Sequence, residues 1–314
     1  MAIMIRENKE IRGISILGNE YRILQYADDT ALLLDFSENS LKNALSLIEQ
    51  FSKFSGLKPN YLKTSCIKIG STRDSNITLC KNYKLTWSQE PFKFLGITFS
   101  VDLNEMEELN YEPKKQEISN LIKSWSKRLL STNGRITVVK TIMFPKLTHL
   151  FLALPNPNEK RLKDFERMFF LYIWNNKNDK VARKTIIQDY KNGGLRMVCL
   201  QSFIRSLKIT WIRRLLNNKT DSSWQTLLLS NLPKHFESFL KFGSSYLKDL
   251  VKTAHNLFWK DVFLSFYELM KLLEPEQNTY KSLWFNDEIA VNGKHYVITN
   301  GWIKEYISFM ICWI

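Results

Sequence analysis

The chain has 314 residues and a mass of 37.1 kDa, and its 44% hydrophobic and 13% aromatic content excludes a disordered tail. With four scattered cysteines and four histidines, a zinc site or histidine-based catalysis is not expected. No apolar run reaches the roughly eighteen residues of a membrane span, and the charged start lacks the apolar segment of a secretory signal. We therefore expect an intracellular protein, nuclear or cytoplasmic, without a membrane partner.

Residues 14–35 contain short apolar runs separated by turn-forming and polar residues, which predicts two β-hairpins. The second hairpin, YADDTALLL, carries Asp28 and Asp29 at its tip. One interpretation is a solvated turn, because aspartate bonds local backbone amides. The other is a two-metal nucleotidyl-transfer site, because a tight hairpin between apolar strands holds carboxylate ligands rigidly.

A helix and further strands are predicted next. Apolar residues three and four positions apart predict an amphipathic helix after Ser37, its N-cap, that stops at Gly56. Short strands are expected at 64–70, and a further hairpin at 92–99. Hairpins combined with a helix predict an α+β fold.

From about residue 101 the pattern becomes helical, with predicted helices in the stretches 112–131, 134–155, 160–174 and 200–216. We place approximate region boundaries near residues 101 and 176. They divide the chain into 1–100, 101–175 and 176–314.

The net charge of +14 is concentrated in the middle of the chain. Residues 51–250 carry 34 basic and 16 acidic side chains. This distribution suits a polyanion gripped beside a metal site, although a generically basic protein would show it too.

The segment YADDTALLL resembles the polymerase motif of reverse transcriptases from LINE-type (non-long-terminal-repeat) retrotransposons. Similarity to that family continues in order along the chain. It includes a helix and lysine-bearing loop (41–65), a primer-grip hairpin (92–97), thumb helices (125–147), and connector segments (173–177, 190–216 and 282–289). The resemblance thus implies a partial polymerase palm, then a helical thumb and a mostly helical connector.

The resemblance also implies roles for single residues. Asp28 matches the principal ligand of Mg²⁺ or Mn²⁺, and Asp29 matches its partner. Tyr26 and Ala27 match residues that pack near the primer end. Lys63 matches a lysine that contacts the incoming nucleotide's phosphates, with a solvated loop lysine as the alternative.

Phe94, Leu95 and Gly96 match the primer grip. There Gly96 would allow a close approach to the primer strand, or would simply relieve a bend in the strand.

Basic residues are frequent in the thumb-like stretch. On a helix, Lys123, Lys127 and Arg128 lie close to one face, and Arg135 follows at the start of the next helix. They could line the template–primer backbone, or they could form a solvated helix face.

A further carboxylate is needed to complete the metal site. Only Glu7, Glu10 and Glu20 precede the motif, none in a suitable strand, and Asp35 would lie about 20 Å from Asp28 along an extended strand. We therefore expect a truncated polymerase whose N-terminal half is missing or supplied by a partner. It should bind Mg²⁺ weakly or not at all and be inactive alone, although the intact family copies RNA templates from DNA primers. The alternatives are a non-catalytic RNA- or DNA-binding protein and a poorly folded product.

Overall fold

The computed structural model describes residues 1–16, 18–72, 77–83, 85–88, 91–100, 102–215, 223–230, 232 and 247–273, with two short strands after them. Small hairpins and a longer series of helices make an α+β fold, which confirms the predicted class. Two compact units divide the chain, Met1–Asn110 and Tyr111–Ile314. The predicted regions 1–100, 101–175 and 176–314 stay a prediction, and the connector-like segment 282–289 lies outside the described residues.

The first unit begins with a short helix and the two expected hairpins. Helix α1 spans Ala2–Glu7. Strand β1 (Ile14–Ile16) pairs with β2 (Asn19–Tyr21), and β3 (Ile23–Tyr26) pairs with β4 (Asp29–Leu32), both antiparallel.

Helix α2 (Glu38–Ser55) has the ends that the sequence predicts. The Ser37 side chain accepts a hydrogen bond of 3.2 Å from the Ser40 amide and caps the first turn. Gly56 ends the helix with a left-handed φ of 74°. Leu41, Ala44 and Leu45 form its buried face.

The remaining strands pair two by two. Strand β5 (Ser65–Ile67) pairs in parallel with β6 (Thr86–Ser88), an arrangement that the local pattern does not predict. Strands β7 (Phe92–Phe94) and β8 (Ile97–Phe99) form the expected hairpin. Near the end of the chain, β9 (Ala290–Val291) pairs with β10 (Lys294–His295).

The longest helix, α3 (Leu103–Ser126), starts nine residues earlier than predicted and contains Pro113. Pro113 would suit the first turn of a helix that began near residue 112. The Asp102 side chain instead accepts a hydrogen bond of 2.8 Å from the Asn104 amide at the true start.

Helix α4 (Thr132–Val138), a π-helical turn (Val139–Met143) and α5 (Phe144–Ala153) follow without a break. The π turn lies just before Pro145, which lacks the amide that an α-helix would require there. By length and composition the stretch Thr132–Ala153 could cross a membrane, with a mean hydropathy of 1.3. The core helices of soluble proteins meet the same criterion, and 44% of it is buried within the protein.

The later helices are α6 (Glu159–Ile173), α7 (Arg183–Ile187), α8 (Leu200–Leu215), α9 (Ser223–Ser230), α10 (described over 247–253) and α11 (Leu257–Leu273). Short 3₁₀ turns occur at Gly70–Thr72, Lys81–Tyr83 and Tyr190–Asn192. Aromatic rings fill the core of this second unit, including Tyr111, Phe151, Phe165 and Phe169.

Candidate catalytic hairpin and basic surface

The two predicted metal ligands lie at the tip of the β3–β4 hairpin. Tyr26 pairs with Asp29 across the strands, and Ala27 and Asp28 form the two-residue turn between them. Ala27 has a left-handed φ of 53°, as such a tight turn requires. Both carboxylates are exposed. The hairpin therefore presents two adjacent carboxylates to solvent on a short, hydrogen-bonded turn.

One face of this hairpin is anchored and the other is open. Ile23 and Leu32 lie opposite each other, and Ile23 is only 5% exposed. They pack with apolar residues of α1, α2 and the segment between α1 and β1: Ile5, Ile11 and Ala44. On the other face, Leu24 is 46% and Tyr26 is 69% exposed. The buried face fixes the hairpin, while Tyr26 and Asp29 share the exposed one.

A network around Arg22 holds the base of the hairpin. The Arg22 guanidinium donates to the backbone carbonyl of Arg6, to that of Asn8 at 2.9 Å, and to the Glu20 carboxylate at 2.5 Å. Glu20 also accepts a hydrogen bond of 2.6 Å from the Gly13 amide. The hydrogen bond from Arg22 is the largest cause of a lowered pKa for Glu20. Glu20 does lie in a strand, β2, but its carboxylate is engaged by Arg22 and Gly13.

Asp35 is engaged in the same way. It accepts hydrogen bonds from the Ser37 amide at 3.1 Å and the Ser37 hydroxyl at 2.7 Å. Burial alone would raise the pKa of Asp35, but hydrogen bonds from Ser37 and Ser40 outweigh it and the pKa is lowered. Within the part of the chain that the structure describes, no three histidine, cysteine, aspartate or glutamate residues are grouped to hold a metal ion.

The fit of the aspartate pair to a divalent cation is therefore partial. Mg²⁺ and Mn²⁺ prefer oxygen ligands, which Asp28 and Asp29 supply. A site built on these two carboxylates would take its remaining ligands from water or substrate phosphates. Two metal ions about 4 Å apart need more carboxylate oxygens than this pair offers.

Lys63 lies in the loop between α2 and β5 and is exposed. Its backbone amide donates to the Asn60 carbonyl at 3.1 Å and to the Asn60 side-chain oxygen at 3.2 Å, which shapes the loop. Among the described residues, its ammonium has no ion pair. Its contact with nucleotide phosphates stays a prediction.

The primer-grip candidates form the turn of the β7–β8 hairpin. Leu95 and Gly96 occupy the turn with left-handed φ angles of 48° and 80°, and Phe94 ends β7 half-buried. The rings of Phe92 and Phe99 stack across the strands at 5.4 Å. Gly96 thus serves a tight turn rather than a bend within a strand.

A basic surface lies at the C-terminal end of α3. Lys123, Lys127 and Arg128, together called the α3 basic patch, are all exposed. The Arg128 guanidinium stacks 4.0 Å from the centre of the Trp125 ring. In the described parts of the chain no carboxylate pairs with these three side chains. The patch offers cations without neutralising partners.

Other basic residues of the thumb-like stretch are paired. Lys114 and Lys146 both contact Glu117, at 2.9 and 2.7 Å. Hydrogen bonds from Lys146 and then Lys114 lower the pKa of Glu117. Lys115 pairs with Asp164 at 2.9 Å. Their charges are partly neutralised within the unit.

Arg135 lies inside the second unit, not on the exposed surface that its spacing predicts. It is 7% exposed. Its Nη1 donates to the Tyr172 carbonyl at 2.8 Å and to Asn175 Oδ1 at 3.1 Å, and its Nε donates to the Leu130 carbonyl at 3.2 Å. Helical spacing could not show this, because the partners come from a distant helix. Arg135 joins two segments of the fold, and its charge faces inward.

Three exposed lysines were not singled out from the sequence: Lys177 and Lys180 in the loop after α6, and Lys184 in the first turn of α7, together called the loop lysines. They follow α6 in the run NNKNDKVARK. This cluster of basic and turn-forming residues, beside a predicted helix end, is the sequence feature from which the three lysines could have been identified.

Comparison with known proteins gives the origin of the chain in coarse terms. No protein-family model matches it. It is 21% identical over 226 residues to the Transposon TX1 uncharacterized 149 kDa protein of Xenopus laevis. The chain is related to a transposon-encoded protein. The similarity supports a retrotransposon-derived origin. The match covers 71% of this chain but only 17% of the relative, so the chain spans a small part of that protein's length.

Proposed function

We propose that this chain is part of an RNA-directed DNA polymerase of a LINE-type retrotransposon, with the β3–β4 hairpin as its metal-binding element. The observation that carries the proposal is the pair of exposed carboxylates, Asp28 and Asp29, on a two-residue turn anchored against α1 and α2. Divalent cations, when bound, activate the primer 3′ hydroxyl and neutralise charge on the leaving pyrophosphate. The similarity to a transposon-encoded protein supports this origin.

The neighbouring residues have supporting roles in the proposal. Asp28 and Asp29 supply oxygen ligands from a fixed turn. Tyr26 lies on the same exposed face as Asp29 and would contact the primer end. The exposed ammonium of Lys63 would contact nucleotide phosphates. The tight turn at Leu95 and Gly96 would hold the primer strand.

This chain should not polymerise by itself, because two carboxylates leave the metal site incomplete. The test is extension of a labelled DNA primer on an RNA template in Mg²⁺ or Mn²⁺, with wild type and Asp28→Ala compared. We expect no product above background from either protein. Product from wild type that disappears in Asp28→Ala would contradict the proposed incompleteness and show an active polymerase. Equal product from both proteins, clearly above background, would instead remove the hairpin from the mechanism.

A second candidate function is non-catalytic binding of RNA or DNA, and the α3 basic patch favours it. Its three exposed cations lack carboxylate partners among the described residues. Affinity for a nucleic acid falls as salt rises. Each phosphate contact makes the plot of log affinity against log salt concentration steeper by about 0.7 to 0.9.

The test of this second candidate is the fluorescence anisotropy of a labelled RNA–DNA hybrid duplex over a range of salt concentrations. A K123Q/K127Q/R128Q variant should reduce the salt slope by about 2–3. The control variant K248Q/K252Q/K271Q removes the same charge from exposed positions on α10 and α11 and should keep the wild-type slope. Binding indifferent to Mg²⁺ and to Asp28→Asn would favour this function over the polymerase proposal. Equal slopes in all three proteins would contradict it.

A further inference from the structure

We propose that the loop lysines and the α3 basic patch form one continuous surface that binds the phosphate backbone of a nucleic acid. The inference rests on the proposed nucleic-acid binding and adds Lys177, Lys180 and Lys184, which follow the α3 basic patch by about fifty residues, to its site.

Arg135 brings the two segments together. Its Nε bonds the Leu130 carbonyl, two residues after the α3 basic patch, and its Nη1 bonds the Tyr172 carbonyl near the end of α6. Both oxygens bond one planar guanidinium, so they lie no more than about 8 Å apart. The end of α3 and the end of α6 are therefore neighbours in the second unit.

The charges around Tyr172 agree with this proximity. Burial raises the pKa of the Tyr172 hydroxyl, and the charges of Arg135 and Arg128 oppose that rise. Arg128, a member of the α3 basic patch, therefore lies close to the end of α6, from which the loop lysines follow.

The loop itself has a defined start. Asn175 and Asn176 take left-handed φ angles of 55° and 58°, a conformation that asparagine tolerates better than most residues. The Asn176 amide donates to the Leu171 carbonyl at 2.7 Å, and Asn175 Oδ1 accepts from Arg135. The chain turns sharply out of α6 and is held there.

The other end of the loop is anchored too. The Arg183 guanidinium lies 4.5 Å from the centre of the Phe170 ring of α6 and pairs with Asp179 at 2.8 Å. Asp179 is the acidic residue between Lys177 and Lys184, and this pairing neutralises its charge. With both ends fixed on α6, the exposed loop lysines present their charge to solvent.

Charge complementarity identifies the partner as a nucleic-acid backbone. All three loop lysines are exposed, and none has an ion pair in the described parts of the chain. Two groups of three exposed cations, whose segments Arg135 joins, suit a polyanion with closely repeated negative charge. Lysines act as point charges without base selectivity, so we expect affinity for backbone rather than for sequence.

The test is the salt dependence of binding to the labelled RNA–DNA hybrid, with wild type and K177Q/K180Q/K184Q compared. The loop variant should lower the salt slope by about 2–3 and weaken binding at least tenfold at low salt. Combining it with K123Q/K127Q/R128Q should lower the slope by the sum of the two effects. The control K248Q/K252Q/K271Q should behave as wild type, and thermal unfolding should show that all the variants are folded.

The outcomes separate this inference from the function it rests on. A loop variant with the wild-type slope, beside an α3 variant with a reduced slope, would overturn the inference and leave the proposed binding intact. A wild-type protein that does not bind the hybrid would overturn both. Displacement of the hybrid by polyglutamate at equal charge concentration would contradict a surface fitted to phosphate and indicate an acidic protein partner instead.

Discussion

The two units differ in how much apolar surface they bury. Among the described residues, ten buried apolar side chains belong to Met1–Asn110 and thirty belong to the second unit. In the first unit every described strand pairs with one partner only, and large side chains such as Phe54, Leu62 and Tyr26 are 90%, 91% and 69% exposed. The second unit therefore has an aromatic core of its own, whereas few apolar side chains are buried in the first unit.

This difference matters because the two proposed functions, nucleotidyl transfer and nucleic-acid binding, place different demands on the protein. A metal site for nucleotidyl transfer needs several carboxylates held rigidly on neighbouring strands. Backbone binding needs only exposed cations on a stable scaffold. The second unit offers exposed cations of this kind, while the first offers two carboxylates on one hairpin.

The largest expected effect is the loss of a core ring from the second unit. Phe165 is fully buried, and its ring lies 6.4 Å from those of Tyr111 and Phe169. Phe165→Ala should destabilise the unit by about 3–5 kcal/mol because it leaves a cavity. Urea unfolding followed by tryptophan fluorescence measures this, since eight of the nine tryptophans lie beyond residue 110.

The matched control is Phe54→Ala in the first unit, which removes the same ring from a position that is 90% exposed. It should change the unfolding free energy by less than about 0.5 kcal/mol. Equal losses in both variants would contradict the described difference in packing.

An intermediate effect concerns a buried lysine of the second unit. Lys208 on α8 is fully buried, its Nζ donates to the Leu154 carbonyl, and it lies 4.3 Å from the centre of the Phe258 ring. Nearby, the Asp261 carboxylate accepts a hydrogen bond of 2.6 Å from the Asn156 amide. Burial lowers the pKa of Lys208 to about 7 and raises the pKa of Asp261.

These shifts predict how stability depends on pH. Between pH 7 and 10.5 the unfolded chain holds a proton on Lys208 that the folded chain lacks, so stability should rise with pH. The limiting slope is about 1.4 kcal/mol per pH unit. Asp261 has the opposite sign, because its raised pKa gives stability at acid pH that is lost as pH rises through the folded pKa.

Urea midpoints measured across this pH range check the prediction, with Lys208→Met as the comparison. The variant lacks the titrating group and should lose the rise. Identical pH profiles for the two proteins would show that Lys208 is charged and solvated in the folded state.

The smallest expected effect is at the open face of the hairpin. Tyr26→Ala should change the unfolding free energy by less than about 0.5 kcal/mol, since the side chain is 69% exposed. Ile23→Ala, on the buried face, should cost about 2–5 kcal/mol. Amide hydrogen exchange of the hairpin measures both. A large loss in Tyr26→Ala would mean that this face is covered in solution.

Local structure was largely predictable from the sequence. The aspartate hairpin follows from the apolar runs on either side of Asp28 and Asp29, and α2 follows from its spacing, its Ser37 cap and Gly56. The turn at Leu95 and Gly96 was expected as a hairpin as well. In each case the determining interactions lie within a few residues along the chain.

Long-range partners were not predictable. The parallel pairing of β5 with β6, the inward position of Arg135 and the burial of Lys208 all depend on contacts between distant segments. Helix α3 begins nine residues before its predicted start and holds Pro113 in its interior, where the local preference of proline is overridden. The metal affinity of Asp28 and Asp29 stays a prediction.

Mn²⁺ binding measured by electron paramagnetic resonance tests the central claim about the aspartate pair most directly. Wild type should bind Mn²⁺ weakly, with a dissociation constant on the order of millimolar, because only two carboxylates contribute. The D28N/D29N variant should lose that binding while Asp35→Asn keeps it. Micromolar affinity in wild type would contradict an incomplete site, and equal binding by wild type and D28N/D29N would show that the hairpin holds no metal.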